Sequence, residues 1–263
     1  MKNANLGMLA LSLVTIAACG GAQVKPQSLE KVKTVAVVNF RMQDQMTTGG
    51  TGGRGGGIGG IGGTISAVRD LSAMASGEAQ ARHRAQVEAL YDTVVDKLAG
   101  AGFTAPKRGE IAGNPKFVEI YTKLPHIPAS DSDPGAFMVY GGRFDLRNPT
   151  SRAQLLDSLG VDAVADVQVT TQVGKTGGAS IGGFGALKRY PQAVVNVTIY
   201  DRNEPGAIWT DYRISGNTAS DGLQETMGVK DTKDPTPLYV ETTASAMDKA
   251  LSRLQHARQA PPK

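Results

Sequence analysis

Three stretches in the second half of the chain alternate apolar and polar residues with a period of two. Val167, Val169, Thr171 and Val173 alternate with Asp166, Gln168, Thr170 and Gln172. Val195, Val197 and Ile199 alternate with Asn196, Thr198 and Tyr200. Ile208, Thr210, Tyr212 and Ile214 alternate with Trp209, Asp211 and Arg213. A strand turns successive side chains to opposite faces, so this pattern predicts three half-buried antiparallel strands. Asp201 to Gly206 joins the last two, with Pro205-Gly206 supplying a tight turn. A Gly-rich loop, Gly174 to Leu187, is expected between the first two. A helix over Leu238–Leu254 closes the chain, with Val240, Thr243, Met247, Leu251 and Leu254 on its apolar face and Pro235 and Pro237 before it.

The first half reads differently. Lys33 to Phe40 (KTVAVVNF) is a short, nearly continuous apolar run, as in a strand covered on both faces. Eleven of the fifteen residues from Gly49 to Gly63 are glycine. Such a tract cannot build a core and loses much entropy on ordering, so residues 47–64 are expected to be a flexible insertion. Helices are predicted over Ser66–Ala75 and Glu78–Ala99. Val87, Leu90, Tyr91, Val94 and Leu98 line one face of the second, and Gly100 ends it. Gly102-Phe103-Thr104 is expected to begin a short strand. Six prolines punctuate residues 105–150 and leave room for a helix near 114–123. A last helix is predicted over Ser151–Leu159, with Ser151 as cap and Gly160 as stop.

These elements predict an α/β fold: a single mixed sheet with C-terminal antiparallel strands, covered by helices, plus a Gly-rich loop insertion and an N-terminal signal peptide. The 263 residues are 40% apolar, enough for a core, and 20% charged, below the share of a disordered chain. A net charge of +4 is too small to argue for nucleic acid.

Residues 1–18 read as the signal peptide. Lys2 supplies the positive start, and Leu9 to Ile16 an apolar run about half as long as the ~20 residues of a spanning helix. Ile16-Ala17-Ala18-Cys19 resembles the lipobox of bacterial lipoproteins, and Cys19 is the only cysteine. That resemblance implies cleavage before Cys19, diacylglycerol on its sulfur and an acylated amino group. Gly20 and Gly21 follow without an aspartate, which in the enterobacterial sorting rule implies the outer membrane. Residues 19–32 are expected to be a lipidated tether, 33–258 the periplasmic domain and 259–263 a disordered tail. One cysteine rules out a disulfide framework, a zinc cluster and an iron–sulfur site, and three histidines leave little for a metal site. No cofactor or metal is expected.

Three segments carry a further resemblance: KTVAVVNF, then LLDSLGVDAVADVQV (Leu155 to Val169), then VVNVTIYDRNEPGAIWTDYRISG (Val194 to Gly216). Together they resemble a group that includes the curli-secretion channel lipoprotein, the lipoprotein activators of penicillin-binding proteins and the amino-terminal domain of the Tol–Pal propeller protein. The resemblance covers about half of the mature chain and implies an α/β module with a central sheet. Gly160 and Asp162 fit its turn into a strand, and Asp201 and Trp209 its hairpin ends; each also has a purely structural explanation. The glycine tract at 49–63 is unusual for the group, and the proline-rich stretch 105–150 has no counterpart in it.

Patterns that suggest catalysis fail on context. Gly178-Ala179-Ser180-Ile181-Gly182 matches the nucleophile elbow, but no helix follows it. Gly55-x-Gly57-x-x-Gly60 matches a dinucleotide fingerprint, but starts about fifteen residues after its strand, where a tight turn is needed. Asp131 and Asp133 lie in a turn-forming SDSDPG run with Asp145 further on, and His83, His126 and His256 share no ligand spacing. Arg82, His83 and Arg84 sit on one helix, and Arg41, Arg54, Lys107 and Arg108 are scattered, as on a solvated surface with at most a weak attraction to anionic lipid or cell-wall polymer.

Three functions stay open. The first is a non-enzymatic lipoprotein, anchored through Cys19, whose domain binds an envelope protein, with loops 49–63 and 174–187 as contacts. The second is an oligomeric channel subunit, since the segments 163–174 and 189–200 are long enough to cross a membrane in a barrel. The third is an enzyme acting on the cell wall.

Overall fold

The computed structural model describes residues 22–45, 77–128, 136–140, 142–181, 184–226, 229–230 and 233–259. The expected signal peptide, Cys19, the glycine tract, the helix expected at Ser66–Ala75, and Asp131 and Asp133 lie outside them.

The domain starts earlier than the sequence suggests. Strand β1 (Gln23–Val24) and helix α1 (Pro26–Leu29) fall in the stretch expected to be tether. Leu29 is fully buried and Val32 nearly so, and both belong to the main core. The segment is too short for a periodic pattern, so its two apolar anchors carried no signal. Glu204 holds it in place, accepting from Lys25 Nζ (2.6 Å) and Ser28 Oγ (2.7 Å).

Strand β2 (Val35–Asp44) follows, then helix α2 (Gly77–Gly100), α3 (Arg108–Ala112) and α4 (Pro115–Lys123). The short strand expected at Thr104 is a single parallel bridge to Thr34. Pro115 starts α4, and Asn114 caps it by accepting from the amides of Lys116 and Phe117. Strands β3 (His126–Pro128), β4 (Ala136–Met138) and β5 (Gly142–Phe144) are short. Helix α5 spans Pro149–Leu159. Its cap is Asn148, not Ser151; the Asn148-Pro149 pair starts the helix two residues early and buries Ser151 in its first turn. Gly160 ends it with φ 65°, a left-handed stop that suits glycine.

The rest of the sheet is β6 (Ala163–Ile181), β7 (Phe184–Asp201), β8 (Trp209–Ser215), β9 (Leu223–Thr226) and β10 (Val229–Lys230). Helix α6 (Thr236–Gln259) closes the described chain, so the expected tail begins one residue inside a helix.

The main sheet runs β1-β8-β7-β6-β2-β4, with β9 and β10 added along the distal part of β7. Among the described strands only β2 and β6 pair in parallel, and the other strand pairs are antiparallel. This is the mixed α/β sheet that the patterning predicts.

Two cores flank it. The larger packs α2 and α6 on one face, with Val35, Val37, Phe40, Met42, Val167, Val169, Val195, Val197 and Trp209 turned toward them. The smaller packs α3, α4 and α5 on the other face against Ala36, Val38 and Val164, with Ile111, Phe117, Phe144 and Leu155 filling it. Strand β2 feeds both, hence its unbroken apolar run. Val38 is an extra residue in the β2–β6 ladder, between the pairs Val37↔Ala165 and Asn39↔Asp166. Such a bulge turns the residues after it to the opposite face. Asn39 thereby points into the smaller core, where its amide exchanges two 2.9 Å bonds with the Phe144 backbone.

Candidate functional site

The three small helices cover only one end of their face of the sheet. Beyond Asp166, that face carries polar side chains in rows set by the register. Arg41, Gln168 and Asn196 lie side by side, then Gln43 and Thr170 with the apolar Val194 beside them, and then Gln172 and Gln192. All are half-buried, and no described helix lies over them. Strands in a sheet are about 4.8 Å apart, so four strands from β2 to β8 make a platform about 15 Å wide. At its margin β8 carries a bulge, with Tyr212 and Arg213 opposite Asn196. Arg213 takes φ 55°, and its amide donates to Asn196 Oδ1 at 2.7 Å. The bulge leaves Tyr212 56% exposed, among the most exposed large apolar side chains of the described residues. Amides and hydroxyls of this kind carry donors and acceptors together. The platform therefore offers a wide, flat array of hydrogen-bonding groups.

Beyond the platform the β6–β7 hairpin leaves the body of the domain. The stretch Gly174 to Leu187 was expected to be a loop, but 175–181 and 184–187 stay paired, up to Ile181↔Phe184. Glycine composition argues against packing, yet a two-stranded ladder needs only backbone bonds, and these glycines take part in it. Gly174 is the hinge: it is the extra residue between Val173↔Pro191 and Lys175↔Tyr190. A Cβ on Gly174 would come within 2.7 Å of the Gln192 side chain and 2.9 Å of Thr218, so the crossing strand requires glycine. Strand β9 pairs with Ala186–Arg189 and β10 pairs with β9, so the arm has four strands.

Buried polar groups elsewhere are tied into the fold. Tyr91 donates to the Val37 carbonyl at 3.2 Å and shares a 3.2 Å hydrogen bond with the Tyr140 hydroxyl, closing the edge of β2. Burial pushes the Tyr140 hydroxyl up to about 12 and that of Tyr91 further still, so neither ionises near neutrality. Asp44 accepts from Thr171 (3.0 Å) and Tyr239 (3.1 Å), and burial together with that carboxylate holds the Tyr239 hydroxyl protonated. Asp211 is wholly buried and takes one 3.1 Å bond from Arg253. Burial still pushes its carboxyl above the usual range, against the pull of that guanidinium and the Tyr212 amide.

The residues singled out from sequence are dispersed. His83 lies on α2, His126 on β3 and His256 on α6. No group of three or more potential metal ligands occurs among the described residues. Gly178 to Ile181 are paired with Phe184 to Leu187 in the hairpin ladder, where an elbow would turn from a strand into a helix. Asp145 accepts from the Arg147 amide in a local turn. The four positions of the resemblance are structural. Gly160 stops α5. Asp162 Oδ2 binds the amides of Lys33 and Thr34 and the Thr34 hydroxyl, which lowers its pKa. Asp201 accepts from the Glu204 amide in the hairpin turn, and Trp209 fills the larger core. Sequence reasoning missed the platform and the arm. The polar half of the alternating strands was the available signal for the platform; nothing in the glycine composition marked the arm as paired.

No helix among the described residues is long and apolar enough to cross a membrane. No protein-family model matches the chain, and no curated protein matches it.

Proposed function

We propose that this chain is a lipoprotein of the bacterial outer membrane, anchored through Cys19 and facing the periplasm, whose α/β domain is a non-enzymatic accessory module of an envelope assembly. The kinship suggested by the three sequence segments, with the group of curli-secretion, penicillin-binding-protein activator and Tol–Pal proteins, belongs to the same proposal. One observation carries it: past Gly174 the β6–β7 hairpin stays paired for seven residue pairs, from Lys175↔Tyr190 to Ile181↔Phe184, forming an arm with the polar platform beside it. A tethered domain works by raising the local concentration of its contact surface near a partner. The arm and platform are that surface. A photo-crosslinking residue at Thr176 or Gln168 is expected to trap one envelope protein in cells, while the same residue at Lys116 on α4 traps none. Equal labelling at all three positions would refute the assignment. The anchor is tested apart from this: a radioactive fatty acid should label the wild type and not Cys19→Ala.

A second reading makes the partner another copy of the chain. The length of the β6–β7 hairpin favours it, because each copy could then offer one long hairpin to a shared barrel. Light scattering on the detergent-extracted protein, with detergent mass subtracted, decides: a discrete ring-sized mass, followed by conductance in bilayers, selects the channel. A monomer or dimer selects the tethered module.

A further inference from the structure

One end of the platform is basic and aromatic, and the strand register puts its members on one surface. Asp211 and Ile214 of β8 both turn to the larger core, where Asp211 meets Arg253 of α6. The two residues between them at the bulge, Tyr212 and Arg213, therefore lie on the platform face, opposite Asn196. Tyr200 stands on the same face of β7, four residues from Asn196. Thr198 and Thr210 pair between the two tyrosines and are nearly buried, so tyrosine and arginine make the outer surface there. Arg147 donates to the Tyr200 hydroxyl, and Tyr212 and Asp166 are near enough for their charges to act on it. The Arg152 guanidinium lies 5.8 Å from the centre of the Tyr200 ring. It is buried, donates to the carbonyls of Leu146 and Glu204, and leaves its Nε without a partner.

Charge at this end is one-sided. Asp166 answers Arg143 at 2.8 Å, and the Glu204 carboxylate is taken by Lys25 and Ser28. Asp145 accepts from the Arg147 backbone amide. Arg147, Arg152 and Arg213 pair with no carboxylate among the described residues, and Arg147 and Arg213 are exposed. Arg213 also holds φ 55°, a conformation in which glycine would sit without strain, and such strain collects at working sites. Beside the arginines, Gln168 and the Nδ2 of Asn196 have no hydrogen-bond partner among the described residues. Each residue of an extended peptide brings one backbone donor and one acceptor, which side-chain amides can match. Its side chains on one edge repeat about every 6.6 Å, the spacing of the rows on the platform. Arginine forks complement carboxylates on such a chain.

From this we infer that the Tyr200–Tyr212 end of the platform binds an acidic, extended segment of the envelope partner. Arg147 and Arg213 pair its carboxylates, Tyr212 packs against it, and Gln168 and Asn196 meet its backbone. The inference rests on the partner surface proposed above and names the chemistry of what sits there. The detergent-extracted protein is titrated into a fluorescein-labelled Glu-Thr repeat peptide, and into a Lys-Thr repeat of the same length, with fluorescence anisotropy as the readout. Binding is expected for the acidic peptide only and should weaken with salt. Arg147→Gln/Arg213→Gln should weaken it about tenfold. Lys116→Gln/Lys123→Gln on α4 removes the same charge elsewhere and should bind like the parent; circular dichroism checks that both pairs fold. Arg213→Gly relieves the left-handed residue, so its urea midpoint should hold or rise while its binding weakens. Equal losses in the two pairs, equal binding of both peptides, or a lower midpoint for Arg213→Gly would each overturn the assignment. Displacement by polygalacturonate as readily as by unlabelled peptide would mean an acidic glycan and overturn the peptide. Crosslinking at Gln168 in cells is read separately. A trapped protein without peptide binding overturns the acidic segment and leaves the partner surface standing, while peptide binding with nothing trapped does the reverse.

Discussion

Gly216 sits where β8 ends against α6, and its missing side chain sets how closely they approach. A Cβ there would lie 2.1 Å from the Thr242 carbonyl oxygen and 3.1 Å from the Ala246 amide nitrogen. Backbone cannot move aside as a flexible side chain can, so Gly216→Ala should destabilise by about 3 kcal/mol or more. Gly206→Ala, with nothing within 4 Å, should change stability by less than about 0.5 kcal/mol. Urea denaturation midpoints check both. Asp211 makes a pH prediction of defined sign. Its carboxyl is raised in the folded protein, chiefly by burial, and one of its oxygens has no partner in the fold. Between the ordinary carboxylate pKa and this raised value the folded protein binds more protons than the unfolded chain, so stability falls as pH rises through that window. The cost is absent below the window and complete above it. Asp211→Asn carries no such titration. Acidification from pH 7 toward 4 should therefore favour the wild type relative to the variant, seen as a narrowing or reversal of any midpoint advantage of the variant. A difference independent of pH would contradict it. Single residues of this kind were only partly legible. The ISG sequence at 214–216 resembles a hairpin end, but the helix that makes Gly216 obligatory arrives from the far end of the chain.

At the scale of elements, legibility followed from how many residues repeat a pattern. The helix α2 and the alternating parts of β6 and β7 each hold several periods, and their apolar faces lie in the larger core as the spacing requires. The stretch 23–32 holds none. Only Leu29 and Val32 bury, and two anchors among proline and polar residues look like a tether. The arm failed for the opposite reason, since its composition is a strong signal for loop while its structure rests on backbone pairing that composition does not report. The platform was in view as the polar half of the alternation, but polar residues on strands read as solvated until coverage by helices is known. Leu29 tests whether 23–32 belongs to the domain. Its side chain is fully buried, so Leu29→Ala should cost about 2–4 kcal/mol of unfolding free energy. A tether residue would cost close to nothing, and thermal or urea denaturation of the purified protein separates the two.

At the scale of the whole molecule, the two helical layers share one sheet, and the sharing is residue by residue. Val35 and Val37 face α2 and α6, Ala36 and Val38 face α3 to α5, and the bulge at Val38 returns Phe40 and Met42 to the first side. Tyr140 packs against both cores at the sheet edge, in edge-on contact with Tyr91 of one and Phe117 of the other. Neither layer can leave without exposing the same strand, so the domain should unfold in one step. The chain carries a natural reporter for only one side: its single tryptophan, Trp209, is fully buried in the larger core. Phe117 lies in the smaller core, 3% exposed, and Phe117→Ala should cost about 3 kcal/mol or more. In a shared-sheet domain that loss must appear in full at Trp209, as an equal drop in the urea midpoint read by tryptophan fluorescence and by far-ultraviolet circular dichroism. If the smaller layer instead peeled away alone, the fluorescence transition of Phe117→Ala would stay at the wild-type midpoint while the dichroism acquired an earlier step. That outcome would make the α3–α5 layer a detachable cover, and the polar platform beside it would then extend to the end of the sheet.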